Sequence, residues 1–224
     1  MIYIVSDIHG YIRLDWLKTN LEELPIIQGD YLLILGDAGI VWDLEKYREV
    51  RDYYEGLPCL TLFLDGNHEN FDLLDKYPVI EAFSGRVGKI SDKIFHLRRG
   101  EIYTLLGKRF FVFGGGFSLK KLTNTSPVFV WDREMPSDDE YENGKMILKE
   151  NDFQIDYVLT HVAPTKFLDA ISAPPLSEER KLNDYLDEID NRMVCKHWFF
   201  GHYHKDIDLD KFSCVYERVI QIGD

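Results

Sequence analysis

Two rhythms of apolar and polar residues run along this chain. Short runs rich in Ile, Leu, Val, Phe or Tyr occupy Ile2 to Val5, Tyr31 to Leu35, Leu60 to Leu64, Ile155 to Leu159 and His197 to Phe200. Apolar runs this short, without strict alternation, predict buried strands of a sheet whose faces are both covered. Between the first two runs, Ile12, Leu14, Trp16, Leu17, Leu21 and Leu24 form a helical stripe across Tyr11 to Leu24, ended by Pro25. Asp43 to Tyr54 and Asn70 to Tyr77 predict the next two helices. Strands and helices in such alternation predict a parallel core.

The middle of the chain changes character. Ile94 to Leu97, Glu101 to Leu106 and Arg109 to Gly114 predict short strands, the last two joined across Gly107-Lys108 like a hairpin, and a second sheet is expected to start there. From Gly114 to Pro136 the text is Gly-rich, then Ser/Thr/Asn-rich, then aromatic, with Gly114-Gly115-Gly116-Phe117-Ser118 and Phe129-Val130-Trp131-Asp132-Arg133. It reads either as an ordinary long connection or as a loop lining a substrate cleft. Asp138 to Asn151 and Ser177 to Asn191 predict surface helices with solvated acidic faces, and Asp206 to Ile222 a β-hairpin returning to the second sheet.

At 224 residues, with no Pro/Gly/Ser-rich linker, repeat or low-complexity run, the chain is expected to form one domain over 1–224. It enters a strand directly and has no apolar run of membrane-spanning length, so a soluble, cytoplasmic protein with no membrane partner is expected. Cys59, Cys195 and Cys214 are odd in number and far apart, as small buried hydrophobes in a reducing compartment would be. The net charge of −13, from 39 acidic and 26 basic residues, disfavours a nucleic-acid partner without excluding one. The modest basic set Lys93, Arg98, Arg99, Lys108 and Arg109 reads as a solvated hairpin surface.

Chemistry gathers just past the apolar runs. In order come Asp7-Ile8-His9, Gly36-Asp37, Gly66-Asn67-His68-Glu69, Thr160-His161 and Gly201-His202-Tyr203-His204. Open α/β sheets place their ligands beyond the carboxyl ends of their strands, so these clusters are expected to converge along one edge. A strand-end Asp or His is often only a helix cap or a satisfied core residue, but five such clusters together supply the ligand set of a two-metal hydrolytic site. Two close cations need a bridging anion, and Asp37 is the candidate, since its two oxygens can bind one metal each. Imidazole nitrogen mixed with carboxylate and amide oxygen suits two divalent ions such as Mn, Fe or Zn better than Ca, and the absence of cysteine ligands argues against a closed structural zinc site.

The clusters resemble the calcineurin-like metallophosphoesterase superfamily, whose pattern runs D-x-H, G-D, G-N-H-(D/E), H, G-H-x-H, and the resemblance extends from Asp7 to His204. It implies an α/β fold of two packed mixed β-sheets flanked by helices. It further implies one metal held by Asp7, His9, His204 and the bridge Asp37, and a second by Asn67, His161, His202 and the same bridge. His68 is implied as the proton donor to the leaving group. The implied activity is metal-dependent hydrolysis of phosphomonoesters or phosphodiesters by direct attack of a metal-bridging hydroxide. The Gly66 to Asp72 and Trp131 to Ser137 segments resemble small bacterial and phage members.

Two departures stand out. Many relatives carry an acidic residue three positions after the bridging aspartate, to orient and charge the catalytic histidine, whereas this chain has Ile40; Asp43 and Asp65 are the nearby carboxylates. The Val-Asp-Arg-Gly continuation of protein Ser/Thr phosphatases is also missing, which favours a more general phosphoesterase with a phosphorylated substrate. Phe117, Trp131 and Arg133 are candidates to pack on and pair with that substrate. The alternatives are a nuclease using the same site and a non-catalytic scaffold, the latter disfavoured because every ligand position is intact.

Overall fold

A computed structural model describes residues 1–119 and 131–223. One sheet has seven strands in the order β13 (Ile220–Ile222), β1 (Ile2–Val5), β2 (Tyr31–Leu35), β3 (Leu60–Leu64), β6 (Ile94–Leu97), β5 (Gly85–Lys89) and β4 (Val79–Ala82). The other has six, in the order β11 (Ile207–Leu209), β12 (Phe212–Cys214), β10 (His197–Phe200), β9 (Tyr157–Thr160), β8 (Lys108–Phe113) and β7 (Glu101–Leu105). Each has four adjacent parallel strands, β1-β2-β3-β6 and β8-β9-β10-β12, with antiparallel strands at the edges.

Period-two alternation sorts the apolar runs into layers. Ile2, Ile4, Leu33, Leu35, Leu62 and Leu64 meet Phe110, Val112, Leu159 and Phe199 between the sheets. Their neighbours Tyr3, Val5, Leu32, Ile34 and Phe63 face α1 (Leu14–Glu22) and α2 (Arg48–Gly56), while Phe111, Phe113, Val158, Trp198 and Phe200 face α4 (Asp138–Glu150), α5 (Thr165–Ala170) and α6 (Arg180–Asp190). Both faces of both sheets are therefore covered, which is why the central strands are apolar at nearly every position. A charge at Leu62, fully buried between the sheets, would have no partner there and would break this packing. The result is the expected four-layer sandwich.

Several elements differ from the sequence expectation. The stripe at Tyr11 to Leu24 divides into a 3-10 turn, Gly10–Ile12, and α1, because Arg13 leaves helical geometry and sends its guanidinium to the carbonyls of Ser6, Asp7 and Tyr216. The helix expected over Asn70 to Tyr77 is the short α3 (Phe71–Leu74), capped by Asn70, whose side chain accepts from Leu73 N–H. Two unexpected antiparallel strands, β4 and β5, follow; Gly85 and Gly88 interrupt their pattern, and they lie at a half-exposed edge. β6 joins the first sheet beside β3, so the second sheet starts at β7. In the tail, β11 and β12 form the expected hairpin, but β13 crosses to the first sheet and pairs with β1.

No described helix is long and apolar enough to cross a membrane. All three cysteines are free, Cys59 and Cys214 buried and Cys195 half-buried. The basic set is not one solvated face: Arg99 is buried against Asp65 and Glu140, and the Arg109 guanidinium donates to Gln154 O.

Candidate metal centre

β1, β2 and β3 run parallel in one sheet and β9 and β10 in the other, and the loops leaving them meet. His9 N–H donates to Asp37 O (2.7 Å), Asp7 N–H to Gly36 O (3.2 Å) and Gly201 N–H to His161 O (3.0 Å). These loops are tightly wound: Asp7, His9, Asp37, His202 and His204 all have positive φ, between 49° and 68°. A non-glycine residue held there costs on the order of 1–3 kcal/mol and persists only when its surroundings enforce it. Two glycines permit the approach of the loops. A Cβ on Gly36, whose φ is +89°, would strike the His161 ring, and one on Gly66 would strike Asp37 Oδ1.

Seven ligand-type side chains form two adjoining groups. In the first, His9 Nε2 lies 3.2 Å from His204 Nε2, His204 Nε2 lies 3.4 Å from Asp7 Oδ1, and His9 Nε2 lies 3.8 Å from Asp37 Oδ2. Asp7 Oδ2 accepts from the Ser6 hydroxyl (2.5 Å) and His202 N–H (2.9 Å), whereas Oδ1 is buried with no hydrogen-bond partner. In the second, Asn67 Oδ1 lies 3.1 Å from His161 Nε2 and 3.0 Å from His202 Nδ1, and Asp37 Oδ1 lies 3.6 Å from His161 Nε2. The His161 Nδ1 sits 2.7 Å from Leu35 O. A carbonyl only accepts, so Nδ1 carries a hydrogen, and Nε2 is the ring atom turned toward the two oxygens. Asn67 Nδ2 donates to Ser118 Oγ at 3.0 Å, which leaves Oδ1 as the atom facing the histidines. Asp7, His9 and His204, and likewise Asp7, Asp37 and His161, gather their nitrogen and oxygen atoms closely enough to hold a metal ion.

A family model for calcineurin-like phosphoesterases matches residues 1–206. The chain belongs to that family. Its members hydrolyse phosphoesters and generally bind divalent metals. Among solved structures, phosphopantetheinyl hydrolase from Mycobacterium tuberculosis is similar at 14% identity with a TM-score of 0.55, over 96% of this chain and 89% of that one. That similarity shows the shared fold. A putative 5'-nucleotidase from Staphylococcus aureus, in complex with alpha-ketoglutarate, aligns at 15% identity and a TM-score of 0.46; 96% of this chain spans 48% of it. No curated protein sequence matches.

Around these candidate ligands stand carboxylates to which the sequence assigned no role. Glu179, buried, accepts from Phe117 N–H (3.0 Å) and lies 3.3 Å from His202 Nε2. Burial opposes charge on both, but the pairing prevails: Glu179 is held below the usual carboxylate range and His202 is raised to about 9. A proton on His202 supplies positive charge beside Glu179, Asp37 and Asp7. Asp7 shows the same balance, with burial outweighed by the His204 contact and the charge of His161, so its carboxyl is held low. Glu69 behaves oppositely. Burial and the neighbouring Asp37 charge push its carboxyl well above the usual range, and its Oε1 accepts from Ala38 N–H (2.8 Å), fixing the turn that carries Asp37. Glu134, fully buried, accepts from Ser118 N–H (3.3 Å) with one oxygen and from Trp131 N–H (3.0 Å) with the other. It thus joins the two ends of the 119–130 segment, and Ser118 passes that restraint to Asn67. Glu69 stood inside a recognisable cluster, Glu134 in the Trp131 to Ser137 segment and Ser118 at the end of the Gly-rich stretch, but none had been given a role, and Glu179 stood in an ordinary acidic run.

His68 lies beside the first group, with its ring centroid 5.5 Å from that of His9, and its N–H donates to Asp37 Oδ1 (2.7 Å). Ile40 packs into the core outside the first sheet. Asp65 does not replace the missing acidic partner: it is buried and engaged by Arg99 (2.5 Å) and His96 (3.1 Å), which hold its carboxyl low against the opposing effect of burial. Asp43 is exposed and lines a different hollow with Trp42, Tyr47 and Tyr77. The candidate substrate residues separate. Phe117 lines the hollow that also contains Asp37, Asn67, His202 and His204. Trp131 packs against Trp42 and Phe71, and Arg133 pairs with Asp72 (2.6 Å) and Asp75 on the far side of α3, lining another hollow with Arg86 and Arg98. Arg133 was expected at the substrate because it follows a Gly-rich stretch, but two aspartates three residues apart claim its guanidinium. Phe129 and Val130 lie outside the described residues.

Proposed function

We propose that this chain, as one catalytic domain, is a dinuclear metal-dependent phosphoesterase. Asp7, His9 and His204 would hold one ion and Asn67, His161 and His202 the other, with Asp37 as the ligand shared by both. The observation that carries the reading is the placement of Asp37. It is 2% exposed, with Oδ2 toward His9 (3.8 Å) and Oδ1 toward His161 (3.6 Å). The donor set, imidazole nitrogen with carboxylate and amide oxygen, fits Mn, Fe or Zn. When bound, two such ions lower the pKa of a shared water and withdraw charge from phosphoryl oxygens. The protein's own groups do the rest. Glu69 fixes the Asp37 turn, Glu179 orients His202, the Leu35 carbonyl sets the His161 tautomer, and His68 delivers a proton to the leaving oxygen of a phosphomonoester or phosphodiester. A nuclease reading gains nothing from the described basic residues, which are dispersed and largely paired.

The test is metal stoichiometry with Asp37→Ala. Dialysed against Mn at near-neutral pH, the wild type should hold two ions per chain by elemental analysis and hydrolyse members of a mono- and diester panel. The variant should hold none or one weakly bound ion. Full occupancy of two ions in Asp37→Ala would remove Asp37 as the bridge, and a wild type without bound metal would overturn the dinuclear reading.

A further inference from the structure

The hollow that opens onto the ligand side chains has two unlike walls. Asp37, Asn67, His68, His202 and His204 form one, while Phe117, Leu119, Leu168, Pro174, Pro175 and Leu176 form most of the other. Its volume of about 420 Å³ lies within the range of small-molecule sites, roughly 300–1,000 Å³. No lysine or arginine appears among its described lining residues.

The apolar wall is fixed relative to the ligands. Pro174 and Pro175 have locked φ angles. The segment is tied at both ends, by Ala173 N–H to Leu168 O (2.9 Å) and by Glu179 and Arg180 N–H to Leu176 O (3.2 and 3.0 Å). The same Glu179 grips His202 and also accepts from Phe117 N–H, which belongs to a residue of the wall. A preformed apolar surface costs little to order when a ligand covers it. Apolar surface at the mouth of a polar site gains free energy when an apolar group, and not a second charged group, removes it from water.

We propose that this hollow binds the organic substituent of the phosphoester, and that the substituent is apolar, an alkyl or aryl group of about ring size seated against Phe117, Pro174 and Leu176. The proposal deepens the phosphoesterase reading and rests on it for the position of the phosphorus. Non-hydrolysable alkylphosphonates separate the two, because their binding is read without turnover. By calorimetry on the Mn-loaded protein, n-hexylphosphonate should bind at least ~10-fold more tightly than ethylphosphonate, the lower end of what added methylenes contribute in a hydrophobic pocket. Leu176→Asn, which adds no charge, should abolish most of that difference while leaving the metal content unchanged. Leu119, 58% exposed, provides a second variant that does not endanger the fold, and Leu119→Ser should also weaken hexylphosphonate selectively. Equal affinities for the two phosphonates, or tighter binding of inorganic tripolyphosphate than of hexylphosphonate, would overturn the proposal. Selective hexylphosphonate binding by a protein that hydrolyses no ester would instead leave the apolar site standing and remove the phosphoesterase reading.

Discussion

Glu134→Gln tests whether the base of the 119–130 segment governs Asn67, a proposed metal ligand 67 residues away in sequence. The glutamate accepts one backbone N–H with each carboxylate oxygen, from Ser118 at 3.3 Å and Trp131 at 3.0 Å, in a fully buried position. Glutamine keeps the volume but has a single acceptor, so one N–H must face an amide nitrogen. A buried donor left unsatisfied costs about 1–3 kcal/mol, and the bond that survives loses its charge assistance, about 1 kcal/mol more. Roughly 2–4 kcal/mol should then be lost in urea unfolding of the metal-free protein. The functional consequence runs through Ser118, whose hydroxyl accepts from Asn67 Nδ2 at 3.0 Å and donates to Asn67 O at 3.3 Å. With Ser118 displaced, the Asn67 amide can rotate and present hydrogen-bond donors where Oδ1 should face His161 and His202. Loss of such an outer contact costs about 10–100-fold in metal affinity. Calorimetric titration with Mn should show that loss at the weaker of the two binding events, with the tighter one moved little. Ser118→Ala should reproduce the metal effect with a smaller loss of stability. If Glu134→Gln is destabilised while both Mn affinities stay at wild-type values, the restraint ends at the segment and does not reach Asn67.

Two further substitutions bear on chemistry and on stability. His68→Ala should keep both metals, as measured by elemental analysis, and impair alkyl esters by about 10²–10⁴-fold, the usual range for general acid catalysis, but impair p-nitrophenyl phosphate distinctly less because its leaving group needs little protonation. Equal losses on both ester types would mean that His68 stabilises charge or positions substrate. Arg99→Met should destabilise the protein by about 3–5 kcal/mol in urea unfolding, because it strands the Asp65 carboxylate in a site where Arg99 is 7% and Asp65 2% exposed. Adding Asp65→Asn should recover much of that loss, and no recovery in the double variant would contradict the pairing account.

How far this site can be read from the linear text depends on the distance over which each residue acts. Asp7, His9, Asp37, Asn67, His161, His202 and His204 stand within a few residues of a strand's carboxyl end, and parallel strands necessarily bring those ends together; an apolar run followed by a ligand is therefore visible in one dimension. The layers were visible for the same reason, since strands covered on both faces are apolar throughout. β4 and β5 escaped because a half-exposed edge strand needs no apolar run and two glycines interrupt β5. The crossing of β13 to β1 escaped because three residues, Ile220–Ile222, satisfy either sheet equally until their partner is known. The carboxylates that support the ligands are a different matter. Glu179 meets Phe117 across 62 positions, and Ser118 meets Asn67 across 51. A glutamate that will accept a buried N–H looks, in sequence, like any glutamate on a solvated helix. Arg133 shows the converse error: its position beside a Gly-rich segment suggested a free cation for an anionic substrate, yet whether a guanidinium is free depends on the carboxylates folded against it, here Asp72 and Asp75. Residues that bond to an ion must therefore sit in recognisable places, whereas residues that hold those ligands still can come from anywhere the fold brings a carboxylate within about 3 Å, the ordinary hydrogen-bond distance.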